Sequence, residues 1–214
     1  MSLIAKDNSS KDFELVPEGT YIARCYKLVD LGTQETTYQG QPSGLKGKIR
    51  ITWELPGALM SDGRPFVIGS LYTNGLSEKS RLRRDLTAWR GKSFTDEELE
   101  GFNLHNIVGC YCFLQVIHKK KGDDMKAEIA SIMSIPKGTP LPEPVNKLAI
   151  FDFDDYDLET FESLTNWEKS EIQKSPEWAA LHAPASAVST PAVQQQGMFN
   201  QGYTPELDEE AIPF

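Results

Sequence analysis

The cleanest alternation of apolar and polar positions in the chain spans residues 48–55. There Ile49, Ile51, Trp53 and Leu55 interleave with Lys48, Arg50, Thr52 and Glu54. A period of two puts each set on one face of a strand, so the segment predicts a β-strand with one buried face. Residues 19–30, rich in β-branched and aromatic side chains, predict a first strand ahead of it. Between the two, residues 32–47 carry Gly32, Gly40, Pro42, Gly44 and Gly47 and predict a loop. Ser61, Asp62 and Gly63 turn the chain into a third strand over 65–72. The period then changes: Leu82, Leu86 and Trp89 recur at helical spacing within 77–90. Thr95 with Glu98 forms a capping-box signal for a short helix ended by Gly101. Residues 108–118 and 125–135 predict two further strands, with 119–124 as the hairpin turn between them.

Three strands, a helical insertion between strands 3 and 4, and a two-stranded hairpin make up the element order of a five-stranded OB-fold barrel. After Pro136 the character shifts. Pro136, Pro140, Pro142 and Pro144 mark a boundary, and residues 151–157 form an acidic-aromatic run. Thr165 with Glu168 gives a second capping box, and Ser175 followed by Pro176 a further helix start. Residues 183–201 are mostly Ala, Pro, Ser, Thr and Gln, the composition of a flexible linker with a reach of roughly 25 Å. The expected organisation is an OB-fold nucleic-acid-binding domain over 1–138, an acidic helical extension over 139–182, a linker over 183–205 and an acidic tip over 206–214. The class is mainly β, with short helices and a disordered acidic tail.

Charge sharpens this division. The 214 residues carry a net charge of −9. Residues 1–138 hold 19 Lys and Arg against 17 Asp and Glu, whereas residues 139–214 hold 3 against 14. A slightly basic body joined to a strongly acidic C-terminal part points to nucleic-acid binding by the body. No apolar run approaches the ~20 residues that cross a bilayer, and the first residues carry no signal-peptide pattern, so no membrane role is expected. Cys25, Cys110 and Cys112 lie in apolar, strand-like contexts and predict reduced thiols, with alternation placing Cys110 and Cys112 in the core.

Sequence-tolerant binding of single strands needs cations along the phosphates and aromatic faces for the bases. The polar face of the second strand offers Lys48 and Arg50, and the first strand, if turned the same way, Arg24 and Tyr26. With Cys112, Leu114 and Val116 inside, Tyr111 and Phe113 fall outside on the fourth strand. Lys119, Lys120 and Lys121 occupy the hairpin turn, and Tyr72 ends the third strand. The acids of 152–157 depart from a calcium loop at Asp157 and Ser163, where Gly and Glu are required. The Cys and His spacing fits no zinc ribbon or knuckle, and no phosphate-cradling or nucleophile motif occurs. No metal, no cofactor and no catalytic activity are expected.

Residues 206–214 hold four carboxylates ahead of an apolar end, Ile212-Pro213-Phe214. This segment resembles the C-terminal tip of bacterial single-stranded DNA-binding proteins. The body, through residues 16–21 and 107–109 and its strand order, is similar to phage-encoded members of that family. The resemblance implies coating of single-stranded DNA during replication, recombination and repair in the cytoplasm of a bacterial host. It also implies docking of the tip onto replication or repair proteins, with Asp208, Glu209 and Glu210 supplying charge and Ile212, Pro213 and Phe214 the apolar anchor. A homo-oligomer stays open. Residues 139–182, with Trp167 and Trp178, depart from the bacterial pattern; packing on the barrel, extending the DNA path and covering it are all open, with their acidity favouring a cover. A strand-annealing recombination mediator and a DNA-independent adaptor using only the tail are the alternatives.

Overall fold

In the computed structural model, residues 14–38 and 40–183 are described. Six strands form one sheet: β1 (Gly19–Tyr38), β2 (Gln41–Leu59), β3 (Pro65–Thr73), β4 (Tyr111–Lys121), β5 (Asp124–Met133) and β6 (Ala149–Phe151). The ladders run in the order β3-β2-β1-β4-β5, all antiparallel, and β6 adds to β1 in parallel. The two ends of that path, β3 and β5, lie against each other. Helices α1 (Arg81–Arg90) and α2 (Asp96–Glu100) fill the connection between β3 and β4, and α3 (Leu158–Ser163), α4 (Asn166–Gln173) and α5 (Pro176–Leu181) follow β6.

The expected loop over 32–47 is instead paired. β1 and β2 continue as a two-stranded ribbon to Tyr38↔Gln41, past the last β3 partner at Lys48↔Thr73. Gly40 and Gly44 adopt positive φ near the tip, where the ribbon must reverse. Glycine signalled the reversal correctly, but the backbone ladder extends through Gly47 regardless of its missing side chain. At the other hairpin, Lys119, Lys120 and Lys121 belong to β4, and the turn contracts to Gly122 and Asp123.

Both capping boxes form. Thr95 and Glu98 cap α2, and Thr165 and Glu168 cap α4; Ser175 caps α5 with Pro176 at its first position. The inner face of the sheet, with Ile49, Ile51, Trp53, Leu55, Cys112, Leu114 and Val116, packs against Leu82, Leu86 and Trp89 of α1. Trp53 and Trp89 meet at 5.7 Å between ring centroids, and the Trp89 indole donates to the Tyr111 carbonyl at 2.9 Å. Cys110 corrects the expectation of a buried thiol: it is exposed, whereas Cys25 and Cys112 are buried. It precedes the first residue of β4 and follows Gly109 at φ 90°, so strand alternation does not yet govern it.

A second, smaller core lies on the other face of β1. Val29 and Leu31 are covered there by Phe151, Phe161, Leu164 and Ile172. Its rings stack closely, with Phe161 and Trp178 at 4.5 Å. A bulge at Tyr26 lets Arg24 and Lys27 both face this side, opposite Glu54 and Thr52. Residues 139–182 therefore pack on the sheet, and residues 51–55 of β2 are covered on both faces, which is why Thr52 and Glu54 are buried together with Ile51 and Trp53.

Glu54 anchors the start of this segment. Its carboxylate pairs with the Arg24 guanidinium at 2.8 Å and accepts at 2.7 Å from both the backbone and the side-chain nitrogen of Asn146. Arg24 in turn donates to the Asn146 carbonyl at 3.1 Å. Glu54→Ala removes the carboxylate that neutralises the buried Arg24 guanidinium and accepts from Asn146, and is expected to destabilise the fold by about 3–5 kcal/mol in chemical denaturation.

Candidate functional site

A cleft of about 610 Å³ opens between the β1–β2 ribbon, the end of β3, the start of α1 and helix α4. Four cations line it: Lys46 and Lys48 from β2, Lys79 from the β3–α1 connection, and Arg81 from the first turn of α1. Two carboxylates, Glu35 and Glu171, share the lining. Lys46 and Lys48 point the same way because they stand two residues apart on a strand. Among the described residues, Lys46, Lys48 and Lys79 have no carboxylate partner. The Lys48 amine donates to Thr73 Oγ1 at 2.8 Å, and partial burial, together with the like charge of Lys46, pulls its pKa below the usual lysine value. An anion placed between the two lysines relieves that repulsion.

The start of α1 adds to this field. Its first turn carries no acidic residue, and Ser80, the N-cap, uses its hydroxyl to donate to the Gly75 carbonyl at 2.6 Å rather than to cap the helix. The free N–H groups of that turn leave partial positive charge at the cleft. Arg81 is shared between Asp85, at 3.2 Å, and the ring of Tyr72, at 5.0 Å.

The residues expected at a nucleic-acid face do not fall together. Lys48 lies in the cleft, and Tyr72 forms part of its floor. Tyr72 is itself buried, however, with its hydroxyl donating to Asp85 at 3.1 Å; burial and that carboxylate push its pKa up. Arg50 stands beside the cleft, its guanidinium 4.9 Å from the centre of the Trp167 ring and 3.4 Å from Glu168. Arg24 and Tyr26 lie beneath residues 145–168. Arg24 is held by Glu54, and Tyr26 has its pKa pushed up to about 12 by burial and by the charges of Glu168 and Glu54.

Tyr111 and Phe113 occupy another part of the outer face. Tyr111 donates to the Pro142 carbonyl at 2.8 Å, and Phe113 pairs in register with Ile22 and Met133. Lys119, Lys120 and Lys121 are exposed on β4, with Lys119 bonded to Glu128 at 3.0 Å. The Glu128 carboxyl is held below its usual range by Lys119 first, and also by the more distant charges of Lys121 and Arg81. Strand β5 packs beside α1. Asp208, Glu209, Glu210, Ile212, Pro213 and Phe214 lie outside the described residues.

Sequence reasoning missed Lys46, Lys79, Arg81 and Trp167 as site residues. Lys46 continues the Lys48-Arg50 alternation two residues upstream, a signal hidden by the glycines around it. Trp167 comes from a distant segment, and only packing brings it to β2. Among the described residues no group of His, Cys, Asp or Glu is arranged to hold a metal ion, and no helix is long and apolar enough to cross a membrane.

Glu168 fixes the α4 wall of the cleft. It is fully buried and meets the Lys27 amine at 2.8 Å. Thr165 donates to it twice, from its backbone N–H at 3.0 Å and its hydroxyl at 2.9 Å. Burial alone would push this carboxyl up, but the bonds from Lys27 and Thr165 outweigh it and hold the pKa below the ordinary 4.5. The stabilisation is thus present above pH 4.5 and is lost as pH falls through the depressed value. Glu168→Gln is expected to cost about 1.5–3 kcal/mol at neutral pH, with the difference from the native chain fading in denaturation curves taken below pH 4.

No protein-family profile matches the chain, and no curated protein matches it.

Proposed function

We propose that this protein binds single-stranded DNA without sequence preference, through the cationic cleft beside the β1–β2 ribbon, and acts in DNA replication, recombination and repair. The observation that carries the reading is the convergence of Lys46, Lys48, Lys79 and Arg81 on one cleft opposed by two carboxylates. Such a lining neutralises backbone phosphates irrespective of sequence.

The topology supports it. An OB-fold barrel closes through its third and fifth strands, and the path β3-β2-β1-β4-β5 with β3 against β5 is compatible with that closure. In this reading the barrel is the OB-fold expected from the element order, and the ribbon is its long first hairpin. The acidic segment 206–214 serves as a docking element for replication or repair proteins, a role that rests on its sequence alone. No catalytic step is assigned.

Titration of the full chain with a ~30-nucleotide oligo-dT and with the matching duplex, at two salt concentrations, tests the reading. Tight, salt-sensitive binding of the single strand is expected. The double variant Lys46→Glu/Lys48→Glu should weaken it at least tenfold and flatten the salt dependence, by about 0.7 in log–log slope for each phosphate that is no longer neutralised. Absence of single-strand binding, or equal binding by the double variant, would overturn the assignment.

A further inference from the structure

The aromatic complement of the cleft does not come from the sheet. Tyr72, the tyrosine in its lining, is buried with its hydroxyl held by Asp85 and one face of its ring covered by Arg81. Trp167, by contrast, is 41% exposed and lines the same cleft. It stands at the second position of α4, between the cap residue Thr165 and the buried Glu168, so its backbone is fixed at a capped helix start. Its indole leaves apolar area in the cleft that a planar ligand would bury.

Trp167 is also supported from behind. The Arg50 guanidinium lies 4.9 Å from its ring centre. Arg50 is seated by Gly69 of β3, where an added Cβ would come within 2.9 Å of the guanidinium, and by Glu168 at 3.4 Å. Neither Arg50 Nε nor Glu168 Oε1 makes a directional hydrogen bond, so the contact is ionic and leaves the guanidinium free to lie against the ring. Arg50 thus lies against an indole that stays exposed in the lining it shares with Lys46 and Lys48. A planar, electron-poor ring matches such an indole.

We propose that Trp167 is a base-stacking platform, and that residues 165–171 form a wall of the nucleic-acid groove rather than a cover over it. This rests on the reading of the cleft as a single-strand site. Stacking on Trp167 requires a base splayed from its partner, which a single strand supplies and a paired duplex does not. Arg50 then acts as a positioning residue for the indole, while the phosphates fall to Lys46, Lys48, Lys79 and Arg81. Residues 139–182 contribute to the site the aromatic that the sheet lacks at this position.

Fluorescence isolates the residue. The chain has four tryptophans. Trp53 and Trp89 are buried, and Trp178 is packed between Phe161 and His182, at 4.5 and 4.0 Å. Full-length native chain, Trp167→Phe and Trp167→Ala are titrated with ~30-nucleotide oligo-dT by fluorescence anisotropy of a labelled strand, and separately by intrinsic emission. The native chain should bind with quenching. Trp167→Phe should bind within about threefold of native but without the quenching, and Trp167→Ala should lose about 5- to 100-fold in affinity with an unchanged salt slope, because a stack is removed and every phosphate keeps its cation. Native affinity in Trp167→Ala, or quenching that persists in Trp167→Phe, overturns the platform while leaving the cationic cleft standing. Failure of the native chain to bind the single strand overturns both.

Discussion

Two buried carboxylates hold this architecture together. Glu54 on β2 and Glu168 on α4 both lie at the interface between the sheet and residues 139–182, and each is enclosed by cations and donors drawn from both. A carboxylate removed from water is tolerable only if its partners replace the lost hydration. Glu54 achieves this with Arg24, Val145 and Asn146; Glu168 achieves it with Lys27, Thr165 and the nearby charge of Arg50. Because the partners come from both the sheet and the extension, neither carboxylate can be satisfied unless the two are docked in one register. The apolar contacts of Val29 and Leu31 with Phe151, Phe161 and Ile172 supply the bulk of the burial, but they are less directional. Ionic partners set the alignment.

That docking also divides the cations of the outer face. Arg24 and Lys27 are neutralised beneath the extension, and Arg50 is turned toward Trp167. Lys46, Lys48 and Lys79 remain without carboxylate partners among the described residues and share one cleft. Part of the extension's acidity is engaged, Glu162 by Lys169, Glu171 by Lys174, Asp152 by His105, and Glu177 by the backbone and hydroxyl of Thr33, whereas Glu143, Asp154, Asp155 and Glu159 form no ion pair among the described residues. The last contact matters for shape, since Thr33 begins the free part of the ribbon. Gly32 beside it packs so closely on Ser175 that an added Cβ would lie 2.5 Å from the serine Cβ. Gln34 also donates to the Glu171 carbonyl at 2.8 Å. A two-stranded ribbon is marginal by itself, and helices α4 and α5 brace its base.

Much of this was legible in the chain. Alternation over 48–55 placed Ile49, Ile51, Trp53 and Leu55 inside, and the stripe Leu82, Leu86 and Trp89 marked the face of α1 that meets them. Two capping boxes and the Ser-Pro start located α2, α4 and α5, because these signals are satisfied within four residues of sequence. What failed did so where a local rule ran into a distant contact. Thr52 and Glu54 read as solvent-facing until the extension covered them. The bulge at Tyr26 altered which residues of β1 face outward beyond Arg24. The ribbon was hidden because its ladder is made by backbone groups, to which Gly40, Gly44 and Gly47 contribute as well as any residue.

By itself, then, the sequence determined the elements: their periods, their caps, the order of five strands around a helical insertion, and the surplus of acid beyond residue 138. These follow from interactions between near neighbours and from side-chain chemistry summed along the chain. Only the tertiary structure decided which cations are neutralised and which are left free, where the third long-range partner of β1 comes from, and that Trp167 stands beside Lys48. Those outcomes depend on pairings across more than a hundred residues, such as Lys27 with Glu168 and Arg24 with Asn146. No local period encodes them, because each is chosen by the requirement that a buried charge find its partner once the apolar faces have closed.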